Sequence, residues 1–264
     1  MTAADTAAVQ IAVTGATGRM GQTVLETAAP RADVEVAVAV SRSSVEQVAD
    51  VPVDDAGSLG GLLDAEPVDV LVDFTGPSSA LEYASAAVSA GVGVVTGTTG
   101  FDDAERTHLR EMATQTPVLW ATNFSRGVAA LRRAVTAAVA AVPGYDVELT
   151  ETHHNGKRDA PSGTATTLLE DIEAARPDLE ERVHGRAGHA PREPGEIGVH
   201  ARRAGDVTGE HEVLLAGNDE ALSLSHSAGD RAVFAAGALD AAAWLAGREP
   251  GWYAFDDVLD GGAP

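Results

Sequence analysis

The stretch VQIAVTGATGRMGQTVLETAAP, residues 9–30, constrains the fold more than any other part of this chain. Its first six residues, apolar and rich in β-branched side chains, read as a buried strand; the run after the glycines reads as a helix. Gly15, Ala16, Thr17, Gly18, Arg19, Met20 and Gly21 lie between, in a GxxGxxG spacing rather than the commoner GxGxxG. Glycines allow a tight turn and close approach to the backbone. A helix that starts from such a turn points unpaired amides at it, which suits a pyrophosphate. Taken alone, the turn also reads as a structural cap that holds no nucleotide.

The residues that follow favour the nucleotide. VEVAVAVSR, VDVLVDFTGP, GVGVVTGTTGF and TPVLWATNFS read as strands, separated by helical patterns such as SSALEYASAAVSAG and DDAERTHLREMATQ. Alternating strands and helices predict a parallel sheet with helices on both faces. The turns at Thr75-Gly76-Pro77 and Gly97-Thr98-Thr99-Gly100 then fall at the carboxyl ends of strands, where such sheets bind ligands. Either also reads as a plain turn.

The pattern changes near residue 124. A long alanine-rich helix, the strand YDVELTETHH and the helix TATTLLEDIEAARP come next. A stretch rich in Gly, Arg and His follows. Its second half alternates apolar and polar residues and predicts antiparallel strands joined by GND and AGD turns. DRAVFAAGALDAAAWLAG reads as a final helix that returns to the first half. The expected fold class is α/β: a Rossmann-like dinucleotide-binding domain over 1–124 and 235–264, and an α+β domain over 125–234.

Composition narrows the partners. Forty acidic residues against 18 basic ones give a net charge of −22, which opposes nucleic acid and anionic membrane surfaces. An acidic surface nearly free of lysine fits a highly saline cytoplasm, where screening makes self-repulsion tolerable; a merely acidic protein is the plainer alternative. The absence of cysteine excludes disulfides, thiolate nucleophiles and cysteine-based metal or iron–sulfur sites. MTAADTAAVQ has no signal-peptide character, and no apolar run of about 18 residues is present to span a membrane. A soluble, cytoplasmic protein is expected.

THHNGKRDAPSGTA, residues 152–165, contains the only lysine of the chain, Lys157. Four residues before it stands His153. Short-chain dehydrogenases place a tyrosine there, so that class is disfavoured. Pro161 and Gly163 shape a turn, and Gly163 and Thr164 open the next helix. Amides and hydroxyls at a helix start bind carboxylate or phosphate. A cation beside them suggests a small substrate with at least one carboxylate. The segment also reads as a capped helix beside two surface histidines.

With this block the sequence resembles the 4-hydroxy-tetrahydrodipicolinate reductase (dihydrodipicolinate reductase) family over nearly its whole length. The likeness runs through VTGATGRMG, DFTGPSSA, GVVTGTTGF, ATNFSRGV, ETHHNGKRDAPSGTA, GEIGVHARRAGDVTGEHEV, HSAGDRAVFAAGAL and PGWYAFDDVL. The resemblance implies NAD(P)H-dependent reduction of a small cyclic dicarboxylate in diaminopimelate and lysine biosynthesis. It implies His153 as proton donor, Lys157 as the activating cation, and His154, Ser162, Gly163 and Thr164 as carboxylate grip. Residues 15–21 would hold pyrophosphate, with Gly97, Thr98, Thr99, Asn123, Phe124 and Ser125 around the nicotinamide. The second domain would bind substrate and build a homotetramer. No metal is implied.

The second strand ends in Ser41-Arg42, where an NADH-preferring member is expected to carry an acid, so NADPH is expected to be preferred over NADH. Residues 42–58 read as a short loop without a phosphate-binding lysine. In RAGD, Ala204 replaces the family's usual glycine. His108, His184, His189, His200, His211 and His226 read as surface or hydrogen-bonded structural residues. A nucleotide-binding regulatory protein with a dead active site is the reading from another class; the His153/Lys157 pair opposes it.

Overall fold

The computed structural model describes residues 7–261. They form two units: the residues up to Ser125 with those from Arg231 onward, and Arg126–Asp230 between them.

In the first unit, β1 (Val9–Thr14), α1 (Arg19–Ala28) and β2 (Val34–Ser41) follow the predicted order. The segment expected to be a loop instead holds a short ribbon, β3 (Gln47–Val48) with β4 (Val51–Pro52), and the added strand β5 (Asp54–Asp55). Ala49 and Asp50 both take positive φ, the two-residue turn that matches strand twist. Neither residue is a glycine, which hid the ribbon from the sequence. Next come α2 (Leu59–Ala65), β6 (Val70–Asp73), α3 (Pro77–Ser89), β7 (Gly93–Thr96), α4 (Asp103–Met112) and β8 (Pro117–Trp120). Pro77 starts α3, where a missing N–H costs nothing. Asp102 and Glu105 form a reciprocal capping box at α4.

The second unit runs α5 (Arg126–Ala141), β9 (Asp146–His153), α6 (Gly163–Ala175), β10 (Glu181–His184), β11 (Glu196–Arg203), β12 (Gly209–Gly217) and β13 (Glu220–Ala228). The sheet order is β10-β11-β9-β12-β13. Only the GND turn joins an antiparallel pair, β12 with β13, through Asn218 and Asp219 at positive φ. The expectation for the AGD turn at Ala204–Asp206 is corrected. β9 lies between β11 and β12, parallel to the first and antiparallel to the second. The turn crosses the end of β9: Ala204 N donates to His153 O at 2.9 Å and Asn155 N to Gly205 O at 3.1 Å. Leu131, Val135 and Val139 of α5 and Leu168, Leu169 and Ile172 of α6 share a core with Val147, Leu149, Ile197, Val213 and Leu215 of the sheet.

The chain returns to the first unit in α7 (Ala232–Leu245), β14 (Gly251–Tyr253) and α8 (Phe255–Asp260). α7 is apolar nearly all round and correspondingly buried, packed on α1 and against β6, β7 and β8. Arg31 ties it down through Asp240 at 2.9 Å. The sheet order is β14-β8-β7-β6-β1-β2-β5, with every pairing parallel. The strand order reverses between β1 and β6, so the crevice of a doubly wound sheet opens at their carboxyl ends. No helix among the described residues is long and apolar enough to cross a membrane.

Candidate active site

The glycine turn sits at that switch point. Gly15 takes φ +64°, and Gly18 N closes the turn onto Gly15 O at 2.8 Å. A Cβ on Gly21 would lie 2.2 Å from Gly15 O, so only glycine lets α1 start this close to β1. Gly18 caps α1 without a side-chain hydrogen bond, which leaves the first-turn amides directed at the crevice. Ala16 is buried, Met20 is half-buried and Arg19 is exposed. Thr17 Oγ1 lies 2.7 Å from Ser41 Oγ and so joins the turn to the end of β2. Ser41 Oγ also accepts from Ser43 N at 3.1 Å. Ser41 therefore shapes the loop with its hydroxyl, while Arg42 beside it is exposed.

One carboxylate collects the other turns of this edge. Asp73, buried at the end of β6, accepts from the hydroxyls of Thr14 (2.7 Å), Thr75 (2.7 Å), Thr96 (3.0 Å) and Thr98 (2.7 Å). These threonines come from the ends of β1, β6 and β7 and the turns beyond them, so Asp73 fixes three turns relative to one another. Nothing in the local pattern marked it. Gly97 lies over the Phe74 ring, where a Cβ would meet a ring carbon at 2.0 Å, and Thr99 is exposed. Asn123 Oδ1 accepts from Ser125 N at 2.8 Å. The expectation for Phe124 is refined. Its ring is buried edge-on between Phe74 and Phe255, so the ring belongs to the core.

In the second unit, the two-residue period of β9 puts Val147, Leu149, Glu151 and His153 on one face. The apolar face thus ends in a carboxylate and an imidazole. Glu151 is fully buried; Oε2 lies 2.6 Å from His153 Nδ1. Arg203, opposite His153 on β11, donates to both carboxylate oxygens at 2.7 and 2.8 Å. Its guanidinium also reaches Asp159 O at 2.5 Å, which pins the loop carrying Lys157. Lys157 Nζ is held by Asp159 at 2.9 Å. His154 is half-buried at the end of the strand.

Ser162 caps α6 and is buried. Its amide donates to Glu151 Oε1 at 3.2 Å; its hydroxyl accepts from Ala165 N at 3.1 Å and lies 3.0 Å from His211 Nε2. The hydroxyl of Ser162, implied by the resemblance as part of the carboxylate grip, is thus engaged within the fold, and the exposed Gly163 and half-buried Thr164 open the helix. Sequence reasoning missed Glu151 and Arg203; His211, read as a surface or structural histidine, is buried and hydrogen-bonded. His211 sits opposite Glu151 on β12, with its ring 5.2 Å from that of His153. Among the described residues no group of three or more His, Asp or Glu is arranged to hold a metal ion.

Burial alone would raise the Glu151 carboxyl, but Arg203 and His153 outweigh it and hold it below the usual range. Burial pushes His153 down; Glu151 pulls it up, while Lys157 and Arg203 push it down, and the net direction is downward. His211 is lowered from 6.5 to about 4, first by burial and then by the neighbouring His153. A histidine whose folded pKa lies below its unfolded value stabilises the fold fully above the unfolded value, and that contribution fades as pH falls through the folded one. Stability is therefore expected to decline between pH 6.5 and about 4, by about 3 kcal/mol from this residue at 1.4 kcal/mol per unit. Urea unfolding at pH 7 and pH 4.5, compared with His211→Gln, checks it. An equal decline in the variant would reject the assignment.

The strand order and the glycine turn at its switch point define a Rossmann-type dinucleotide fold, joined to a mixed-sheet unit that carries a histidine–carboxylate–arginine cluster. The chain belongs to the dihydrodipicolinate reductase family, whose N-terminal model matches residues 9–124 and whose C-terminal model matches residues 127–259. It is 55% identical over 251 residues to the 4-hydroxy-tetrahydrodipicolinate reductase of Haloarcula marismortui, covering 95% of this chain and 99% of the relative. It is 51% identical to that of Natronomonas pharaonis, over 94% and 99%. A dipicolinate-bound dihydrodipicolinate reductase from Paenisporosarcina sp. TG-14 shares the fold, with a TM-score of 0.76 at 24% identity over 94% of this chain and 97% of that one.

Proposed function

We propose that this chain is a 4-hydroxy-tetrahydrodipicolinate reductase of diaminopimelate and lysine biosynthesis, acting in the cytoplasm as a homotetramer. The first unit takes NADPH or NADH and the second takes the cyclic dicarboxylate. The coenzyme, when bound, supplies hydride to a ring carbon of the substrate. The residues of the chain do the rest. The turn at 15–21 holds pyrophosphate, and the turns organised by Asp73 and Asn123 hold the nicotinamide end. Lys157, His154 and the start of α6 hold the carboxylates, and His153 gives a proton to the carbon next to the reduced one. The observation that carries this reading is the His153–Glu151–Arg203 cluster beside Lys157, in a chain of this family. Turnover with NADPH and freshly generated substrate tests it. A chain that binds coenzyme but never turns over is instead a regulatory protein on the same fold.

NADPH is proposed as the preferred coenzyme. Arg42 and Arg19 are exposed cations at the end of β2 and the start of α1, and Arg42 can pair with a 2′-phosphate. Against them stand Glu46, Asp54 and Asp55, which line a cavity of about 330 Å³ beside Ser41. A directly paired arginine outweighs carboxylates that only border the cavity, because screening weakens the more distant charges most. Arg42→Ala is expected to raise the KM for NADPH about fivefold relative to NADH, since an exposed pair contributes at most ~1 kcal/mol. An unmutated enzyme that prefers NADH several-fold at every salt concentration overturns the preference.

The charge of −22 supports a saline setting. Carboxylates crowd even local surfaces, as where Asp178, Glu180 and Glu181 border one concavity. Removal of salt lengthens the range of their repulsion and is expected to lower the melting temperature and the activity. Equal melting temperatures in dilute buffer and in molar KCl would exclude this adaptation.

A further inference from the structure

We propose that Glu151 is a positioning residue that fixes the proton of His153 on Nδ1 and so makes Nε2 the atom that delivers protons to substrate. This deepens the reading of His153 as proton donor and rests on it. The geometry follows from counting acceptors. Oε1 of Glu151 accepts from Arg203 Nη2 and Ser162 N; Oε2 accepts from Arg203 Nη1 and stands 2.6 Å from His153 Nδ1. An ionised carboxylate has only acceptor sites, and a buried one beside a bidentate arginine stays ionised. Nδ1 must therefore be the donor, and the neutral imidazole carries its lone pair on Nε2.

Nε2 has room to work. Gly209, at the start of β12, has no side chain; a methyl there would lie 3.1 Å from Nε2. The charged and titratable groups facing the ring are Glu151 on its own strand, Arg203 from β11, His211 from β12 and Lys157 from the following loop. Of these only Glu151 favours the imidazolium. An ion pair for Arg203 alone does not require the second oxygen to reach the ring. In the step itself the Nε2–H bond breaks, its electron pair stays on the ring, and the proton forms the new C–H bond. The product is the neutral imidazole with its proton on Nδ1, the form Glu151 already holds.

The test uses ¹⁵N-histidine-labelled full-length protein. The wild type is expected to show the Nδ1–H tautomer for His153 at neutral pH. In Glu151→Gln the His153 titration should move to lower pH, because Arg203 and Lys157 then act unopposed. Turnover should fall about 10²-fold with KM nearly unchanged, less than the ~10⁴ lost when the orienting carboxylate of a Ser-His-Asp triad becomes an amide, because Arg203 already offsets part of the charge. The limb of kcat against pH should move with the titration. A structural ion pair would lower stability and leave both unmoved. An Nε2–H tautomer in the wild type overturns the proposal, as does a folded Glu151→Gln protein with unchanged titration and pH limb. The tautomer of the wild type decides the matter even if the variant does not fold. The spectrum needs no substrate, so its failure is separate from a failure of the proposed activity.

Discussion

His153→Ala is expected to lower turnover by about 10²- to 10⁴-fold, the range for a positioned general acid. Hydride addition leaves a pair of electrons on the neighbouring carbon, and a proton must arrive before that charge returns. His153 is the imidazole whose ring is locked: Glu151 holds one nitrogen at 2.6 Å, and the side chain is only 11% exposed. His154→Ala should mainly raise KM, as expected for a residue that grips a carboxylate. The opposite outcome in the two variants would exchange their roles. The pH profile carries the sign. An acid works only while protonated, so activity falls as pH rises through its pKa. Burial sets His153 below its ordinary value of 6.5 in the free protein, so the falling limb of kcat/KM is expected below that value. An arriving dianion favours the imidazolium, so the limb of kcat should lie at higher pH. A kcat/KM that stays flat past the ordinary histidine range would remove His153 from the role.

The first unit was legible because its information is local. β1, β6 and β7 are short apolar runs followed by glycine-containing turns, and α3 and α4 announce their starts through Pro77 and the Asp102/Glu105 pair, whereas the β3–β4 ribbon has no such signal. The Asp73 hub was not legible, since its four hydroxyls come from three strand ends that only the parallel sheet brings together. In the second unit, the His153/Lys157 block stood out by composition, but its supports did not. Glu151 and Arg203 are 52 residues apart and meet through a parallel pairing that no hairpin signal announces. A signal for Glu151 and His211 was nevertheless present. VELTETH and HEVLL both alternate, and each puts a polar residue in line with buried Val and Leu. A carboxylate and an imidazole on the apolar face of neighbouring strands need each other or a common partner, because an unpaired buried polar group is costly.

Lys157→Gln is expected to lower kcat/KM for the dicarboxylate by about 10- to 100-fold, with coenzyme affinity nearly unchanged. A hydrogen bond to a charged group contributes about 1.5–3 kcal/mol, which spans that range of rates. Lys157 is one of the two cations that disfavour the charged form of His153, so its loss acts twice: substrate loses a partner, and the imidazole loses a nearby cation. The second effect favours protonation of His153 in the free protein, so the kcat/KM limb should move to higher pH while its plateau falls. A cation that only shaped the loop through Asp159, which it meets at 2.9 Å, would lower stability and leave the kcat/KM plateau of the folded variant in place. The chain offers a second measurement because Lys157 is its only lysine. An amine-specific reagent has two targets, this side chain and the N-terminus. The Lys157 side chain is 22% exposed and that of its partner Asp159 is 57% exposed, so reagent can reach it. Bound dicarboxylate should slow its modification, and complete modification should abolish turnover. Full activity in protein quantitatively modified at Lys157 would remove it from the site.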